Sequence, residues 1–156
     1  MRIAVRALLF NEKNELLVVQ HHKSNFWALP GGKIENKESL KECLAREIHE
    51  ELGIEIFVEN LLFIQEFKWG KTPEEAKEND VTTEFFFGVR LKNNDKNNTI
   101  SELIFSGEFA EKELNKISWK KLDNTLDIKP DFLQNNTFKS IEKMNINNNI
   151  QYISLV

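Results

Sequence analysis

Apolar and polar positions follow two different periodicities along the first third of the chain. Residues 2–10 and 15–20 are runs rich in aliphatic and β-branched side chains, and the four polar residues 11–14 separate them. Two such runs around a short polar linker predict strands joined by a hairpin. The apolar residues of 39–52 instead recur every four positions, which predicts an amphipathic helix. Its apolar stripe consists of Leu40, Leu44, Ile48 and Leu52.

Both ends of this helix carry residue types that stabilise helix termini. Ser39, with Glu42 three positions later, has the spacing of a capping box. Gly53 stands where a glycine in the left-handed conformation ends many helices. The helix over 39–52 is therefore delimited by its own local sequence.

The rest of the chain predicts mostly strands. They are expected at 54–58, 61–67, 81–91 and 115–119, with an edge strand at 150–156. A second helix is predicted at 137–144, and surface loops at 70–80 and 92–99. Without an internal repeat or a linker, residues 1–156 are expected to form one domain of the α+β class. Its architecture would be an α/β/α sandwich, in which the main helix packs against a mixed β-sheet.

Composition narrows the classes of function. The 21 basic and 25 acidic residues leave a net charge of −4, so the broad basic surface of a nucleic-acid-binding protein is not expected. The single cysteine, Cys43, excludes an intrachain disulfide and a cysteine-rich zinc site. No apolar run approaches the roughly 18 residues of a membrane span, and the N-terminus does not resemble a signal peptide. We therefore expect a cytoplasmic protein.

Three glutamates of the predicted helix, Glu47, Glu50 and Glu51, share one face. At about 100° per residue, Glu51 lies about 40° from Glu47, towards the centre of the leucine stripe at about 80°. Glu51 therefore points into the edge of the buried side, where an unpaired carboxylate is strongly unfavourable. Arg46 can pair with Glu42 and Glu50 and offsets part of the repulsion. On these grounds alone, a solvated acidic face remains an open alternative.

The surrounding residues extend the acidic helix into a longer motif. Residues 32–54 read GKIENKESLKECLAREIHEELGI and fit the pattern G-x5-E-x7-R-E-U-x-E-E-x-G-U, where U is a bulky aliphatic residue. The matched positions are Gly32, Glu38, Arg46, Glu47, Ile48, Glu50, Glu51, Gly53 and Ile54. Chance agreement is on the order of one in ten million per chain of this size. Through this Nudix box, the chain resembles the Nudix (MutT-like) hydrolases.

The resemblance implies hydrolysis of a pyrophosphate bond in a nucleoside diphosphate that is linked to another group. Both the substrate and the glutamate cluster are negative, so a divalent cation must lie between them. Mg²⁺, with Mn²⁺ as a substitute, suits carboxylate oxygens beside a polyphosphate. The expected partner is a small-molecule nucleotide, and a homodimer remains open. A membrane is not expected as a partner, and the sequence carries no strong signal for nucleic-acid binding.

The resemblance also implies roles for individual residues. The implied metal ligands are Glu47, Glu50, Glu51 and the main-chain carbonyl of Gly31. One of the three glutamates is also a candidate for the catalytic base. Arg46 is expected to orient a glutamate through charge-assisted hydrogen bonds, and Glu38 to support the geometry between the loop and the helix.

Many relatives supply one more acidic ligand from a later loop, several residues before a strand that contains an aromatic residue. Glu113 lies six residues before Trp119 and is the first choice, although a solvated loop glutamate is an equally good interpretation. The alternatives are Glu111, Glu108 and Glu84.

The sequence says less about the identity of the substrate than about the type of reaction. Lys33 and the aromatic residues Phe26, Trp27 and Trp69 are candidate substrate contacts; the aromatic rings are able to stack on a base, with core or rim packing as the alternative.

A nucleoside triphosphate or a related nucleotide is preferred as substrate. ADP-ribose, nucleotide sugars and dinucleoside polyphosphates are alternatives, although the proline of some ADP-ribose hydrolases and the tyrosine of some dinucleoside polyphosphate hydrolases are missing. Capped RNA ends are a further alternative, for which no basic patch argues. A non-catalytic, nucleotide-sensing Nudix domain is an alternative of another class, and the intact box disfavours it. Nothing beyond the box supports a Nudix isomerase.

Overall fold

The computed structural model describes residues 1–22, 24–68, 81–92, 100–103, 105–107 and 114–155. Within these residues lie the strands β1 (Arg2–Leu8), β2 (Glu15–His21), β3 (Trp27–Ala28), β4 (Gly31–Lys33), β5 (Ile56–Lys68), β6 (Val81–Leu91), β7 (Leu114–Lys121), β8 (Ile128–Lys129) and β9 (Gln151–Ser154). The α-helices are α1 (Leu40–Leu52) and α2 (Phe138–Asn147). Short 3₁₀ turns occupy Ile100–Glu102 and Asp131–Asn135.

The strands form two sheets. One has five strands in the order β4-β1-β6-β5-β9, and the other has four in the order β7-β2-β3-β8. The first sheet is mixed, because β1 runs parallel to β6 and β9 parallel to β5, while its other pairs are antiparallel. The mixed sheet predicted from the sequence is therefore confirmed, and β9 lies at an edge as expected.

The two helices pack against different hydrophobic clusters. The buried hydrophobic residues of α1 belong to a cluster with Val5, Ala7 and Phe87, while α2 contributes Ile141 to a cluster with Phe86. Adjacent strand residues point to opposite faces, so Phe86 and Phe87 place the two clusters on opposite faces of β6. This arrangement is the predicted α/β/α sandwich.

Helix α1 begins and ends as its local sequence predicts. The Ser39 side chain accepts from the backbone N–H of Glu42 at 3.3 Å, and the Glu42 carboxylate accepts from the N–H of Ser39 at 2.8 Å. Gly53 has φ +70° and its N–H donates to the carbonyl of His49 at 2.9 Å. The capping box and the left-handed glycine are both confirmed.

The predicted hairpin of β1 and β2 forms near its turn, and the strands then separate into different sheets. The N–H of Leu17 donates to the carbonyl of Leu9 at 2.9 Å, close to the turn. Residues 16–19 of β2 are all fully buried and contribute to both hydrophobic clusters. A strand that is apolar on both faces needs cover on both faces, and the two clusters supply it, while β7 and β3 pair with its two edges.

The two strands predicted at 54–58 and 61–67 are one strand, β5. Its pairing with β6 shifts register between Val58 and Leu61 and again between Leu61 and Phe63. The polar pair at residues 59–60 indicated a break, but a bulge carries the strand across it. The strand at 81–91 is confirmed by β6. The predicted loops at 70–80 and 92–99 lie outside the described residues, except for Lys92, which lies in a bend.

Three short strands, β3, β4 and β8, were not predicted, because a run of two or three residues has no periodicity to detect. In the described part of the chain, neither helix is long and apolar enough to cross a membrane.

Candidate active site

The acidic face of α1 is graded in its burial, as the helical arithmetic predicts. Glu51 is 3% exposed, whereas the side chains of Glu47 and Glu50 are 16% and 31% exposed. His49, on another face of the helix, is exposed. The carboxylate predicted to point into the buried side therefore does so.

Arg46 gathers the surrounding carboxylates. Its Nη1 donates to Glu47 Oε1 at 3.2 Å and to Glu50 Oε2 at 3.1 Å. Its other edge binds Glu38 with two bonds, from Nη2 to Oε1 at 2.8 Å and from Nε to Oε2 at 3.0 Å. Such a two-bond contact between a guanidinium and a carboxylate is both strong and directional. Arg46 thus orients glutamates from the helix and from the preceding loop at once.

Charge pairing within this cluster changes the acidity of both partners. The two-bond contact with Arg46, followed by a backbone hydrogen bond at Glu35, lowers the pKa of Glu38 to about 2. The same contact raises the pKa of Arg46 above its ordinary value. Glu38 is therefore ionised throughout the neutral range.

Strand β4 carries two glycines against the acidic face. The N–H of Gly31 donates to Glu51 Oε2 at 3.1 Å. Gly31 has φ +143°, and a Cβ there would lie 2.0 Å from the carbonyl oxygen of Val5. A Cβ on Gly32 would lie 2.1 Å from Glu47 Cδ. Only glycine at these positions allows the main chain to approach the carboxylates this closely.

The chemistry of this donor set suits a hard divalent cation, which prefers carboxylate and carbonyl oxygens. Within the described residues, however, no three His, Cys, Asp or Glu side chains converge closely enough to enclose an ion. The carboxylates of Glu47 and Glu50 contact Arg46 and that of Glu51 contacts Gly31.

A later segment reaches the C-terminal end of α1. The N–H of Ser106 donates to the carbonyl of Leu52 at 3.1 Å, and a Cβ on Gly107 would lie 2.1 Å from the backbone carbon of Glu51. Glu113, the predicted additional ligand, and its alternatives Glu111 and Glu108 lie outside the described residues.

A cavity of about 710 Å³ opens next to the segment that leads into β4, and its volume is within the range typical of small-molecule sites. Its lining includes Leu29, two residues before Gly31, and Arg6, which pairs with Gly31 across β1 and β4. Aromatic residues on its wall include Phe26 and Phe67. The cavity and the acidic cluster therefore share the segment that leads into β4.

Glu84 is a buried charged residue on the wall of this cavity. It is 6% exposed, and its Oε1 accepts from Arg6 Nε at 3.0 Å and Nη2 at 2.8 Å. The sequence offered Glu84 as an alternative metal ligand; the structure places it on the cavity wall, on the face of β6 opposite to Phe85 and Phe87.

The residues predicted to contact the substrate do not all lie at the cavity. Phe26 lines the cavity, whereas Trp27 packs against the hydrophobic cluster of α2, with the Lys120 ammonium 5.2 Å from its ring. Lys33 is exposed on β4. Trp69 lies outside the described residues.

The sequence interpretation missed Arg6 and Gln65, which also line the cavity. A signal was present, because each is a polar residue inside an apolar strand run. A polar residue in such a run is buried only where it finds a partner or a ligand.

A family model described as NUDIX domain matches residues 1–140 of the chain. The 8-oxo-dGDP phosphatase NUDT18 of Danio rerio is 45% identical over 65 residues, which is 40% of this chain and 20% of that protein. The 8-oxo-dGTP diphosphatase of Proteus vulgaris is 28% identical over 90 residues, or 55% of this chain and 74% of that protein. The chain therefore spans a fifth of the length of the first of these relatives.

Solved structures resemble the fold over nearly the whole chain. The MutT protein from Methanosarcina mazei Go1 has a TM-score of 0.62 and 26% identity, covering 92% of this chain and 94% of that one. A UDP-X diphosphatase has a TM-score of 0.64 and 21% identity, covering 97% of this chain and 66% of that one. The second likeness supports the fold alone.

Proposed function

The chain belongs to the Nudix family, and on this premise we propose that it hydrolyses a pyrophosphate bond in a nucleoside diphosphate linked to another group. The observation that carries the proposal is the burial of Glu51 beside Gly31, with Glu47 and Glu50 on the same helical face. A buried carboxylate at that position is unfavourable for folding alone. A role in binding a cation explains why a carboxylate occupies this buried position.

The proposed cofactor is a divalent cation, with Mg²⁺ preferred and Mn²⁺ as a substitute. The residues that would hold it are Glu47, Glu50, Glu51 and the main-chain carbonyl of Gly31. When bound, the cation would neutralise the phosphates and activate the attacking water. Glu113 is proposed as an additional ligand, with Glu111 and Glu108 as alternatives.

The protein's own residues position this site. Arg46 fixes the carboxylates of Glu47 and Glu50 through one guanidinium nitrogen, and Glu38 fixes Arg46 in turn. The N–H of Gly31 orients the carboxylate of Glu51. These carboxylates are thus held before the substrate arrives, which reduces the reorganisation that catalysis requires.

We propose that the nucleoside part of the substrate occupies the cavity, with its phosphates directed towards the acidic cluster. The cavity adjoins Gly31 through Leu29 and Arg6, and Phe26 offers an aromatic surface for the base. A nucleoside triphosphate or a related nucleotide is the preferred substrate, and relatives named for 8-oxo-dGDP and 8-oxo-dGTP support this preference. A homodimer and a cytoplasmic location remain predictions.

A panel of substrates tests the proposal. The purified protein is incubated with Mg²⁺ or Mn²⁺ and with nucleoside triphosphates, ADP-ribose, a dinucleoside polyphosphate or capped RNA, and the released products are identified. Cleavage of a phosphoanhydride in at least one substrate is expected, with no cleavage when a chelator removes the cation. Nucleotide binding without cleavage of any of them would instead favour the non-catalytic, nucleotide-sensing alternative.

A further inference from the structure

Gln65 is a buried polar residue whose side-chain carbonyl carries the inference. It lies on β5, is 3% exposed, and lines the same cavity as Leu29 and Arg6. Its carbonyl oxygen, Oε1, has no hydrogen-bond partner among the residues that the structure describes. A buried acceptor without a partner is unfavourable for folding, so a ligand that donates a hydrogen bond to it would explain its presence.

Glu84 provides a second acceptor directly beside the first. Gln65 and Glu84 face each other across the antiparallel pair of β5 and β6, and such cross-strand neighbours have Cβ atoms about 5 Å apart. Both residues line the cavity. In the described part of the chain, the two hydrogen bonds from Arg6 both end on Glu84 Oε1, so Arg6 leaves Oε2 of this carboxylate to other partners.

Part of the cavity wall is apolar and aromatic. Phe26, Leu29 and Phe132 line the same cavity as the two acceptors. A planar heterocycle that stacks on such side chains presents its polar edge to the side. The polar edge of the ligand would then meet Gln65 and Glu84, and it must carry hydrogen-bond donors.

We infer that Gln65 and Glu84 determine which base the cavity accepts, and that they select a base with two adjacent N–H donors. This inference rests on the proposed function, because it places the nucleoside of the substrate in the cavity. Guanine presents such an edge with N1–H and its 2-amino group. Adenine and cytosine each present an amino donor beside a ring nitrogen that accepts, and uracil presents one N–H between two carbonyls.

Binding of nucleoside monophosphates tests this inference without requiring hydrolysis, because a monophosphate has no phosphoanhydride bond. Guanosine, inosine and adenosine 5′-monophosphates are titrated into the purified protein by calorimetry. Inosine keeps N1–H but lacks the 2-amino group. We expect the guanine nucleotide to bind about tenfold more tightly than the inosine nucleotide, and the adenine nucleotide to bind most weakly.

The variant Gln65→Met tests the residue itself. Methionine has a similar length but lacks the carbonyl acceptor, so the preference for guanine over inosine should fall to about twofold or less. Its melting temperature should not fall, because the substitution removes an unpaired buried acceptor. The matched control is Gln151→Met at an exposed position on β9, which should keep the full preference.

Three results would overturn the inference: equal binding of the guanine and inosine nucleotides to the unmodified protein, no binding of the guanine nucleotide at millimolar concentration, or an unchanged preference in a folded Gln65→Met variant. The first two need no variant, so they hold even if Gln65→Met does not fold. If one of these three results is found while nucleoside triphosphates are still cleaved, the base selection fails and the proposed hydrolysis stands. Preferential guanine binding without any cleavage would support the base selection and refute the proposed hydrolysis.

Discussion

The carboxylate of Glu51 accepts a hydrogen bond from the main-chain N–H of Gly31, which lies twenty residues earlier in the chain, at 3.1 Å. This contact joins the buried edge of the acidic helix to the short strand β4. It places the most buried glutamate of the site against a stretch of main chain whose carbonyl is itself a proposed ligand. The contact therefore connects the local helix pattern to the tertiary arrangement of the site.

Replacing Glu51 with glutamine should abolish most metal-dependent turnover. The amide keeps an oxygen that is able to accept from Gly31, so the fold should be retained, whereas the negative charge that the cation requires is lost. We expect kcat to fall by about 100-fold or more, measured with the best substrate of the panel at saturating Mg²⁺. Glu55→Gln, at an exposed position just beyond α1, is the matched control and should remain active. Near-normal activity of Glu51→Gln would remove the proposed role.

Alanine at the two glycines of β4 should have different effects. At Gly32, the added Cβ meets the flexible carboxylate of Glu47, which is able to move aside. We therefore expect Gly32→Ala to fold but to lose about tenfold or more in kcat/KM, because the displaced group is a proposed ligand. At Gly31, the added Cβ meets the backbone oxygen of Val5 at φ +143°, so Gly31→Ala should lose about 2–4 kcal/mol of stability.

Chemical denaturation and steady-state kinetics on both glycine variants separate these effects. An active Gly32→Ala variant would mean that Glu47 keeps its position or has no role. A Gly31→Ala variant as stable as the parent would contradict the close approach of β4 to β1.

The ion pair of Glu38 with Arg46 should make stability depend on pH in the acidic range. Because the pKa of Glu38 is lowered from 4.5 to about 2 in the folded protein, the pair stabilises the fold fully above about pH 4.5. The contribution is lost as the pH falls from there towards 2. Glu38→Gln should therefore destabilise the protein by about 1–2 kcal/mol at pH 7.

Urea denaturation of Glu38→Gln and its parent at a series of pH values measures this contribution. The difference in the free energy of unfolding should shrink below pH 4.5. A difference that stays constant down to pH 2.5 would show that the carboxylate charge of Glu38 does not stabilise the fold.

Cys43 should be chemically inert in the folded protein. It is fully buried on α1, its thiol donates to the carbonyl of Lys33 at 3.4 Å, and burial raises its pKa to about 12. Alkylation requires the thiolate, so iodoacetamide at pH 8 should leave the native protein unmodified by mass spectrometry. The same reagent should modify the protein once in denaturant. Rapid labelling of the native state would contradict the burial of Cys43.

Glu113→Gln should weaken metal-dependent activity if Glu113 is the additional ligand that the Nudix resemblance implies. The last described residue before that segment, Gly107, lies against the backbone of Glu51. Activity is compared over a Mg²⁺ titration, where loss of a ligand raises the cation concentration required. An unchanged titration would move the assignment to Glu111 or Glu108.

Local interactions explain which parts of the fold the sequence predicted. Helix α1 was placed correctly because its leucine spacing, the Ser39 capping box and Gly53 all act within a few residues. The same arithmetic oriented Glu51 towards the buried side. The polar pair at 59–60 led to a prediction of two strands, because it interrupts the local apolar pattern. The bulge that continues β5 through this pair depends on pairing with β6, which the local sequence does not contain.

The amino-acid sequence by itself determined the acidic helix, its caps, the direction of Glu51 and the match to the Nudix box, since each is a matter of residue type and short spacing. Only the tertiary structure decided that β1 and β2 part into different sheets, and that Arg6, Gln65 and Glu84 meet in one cavity. Arg6 and Glu84 are 78 positions apart, and their contact exists because β1 lies parallel to β6 in one particular register. That register depends on the packing of both faces of the sheet, which no short stretch of sequence contains.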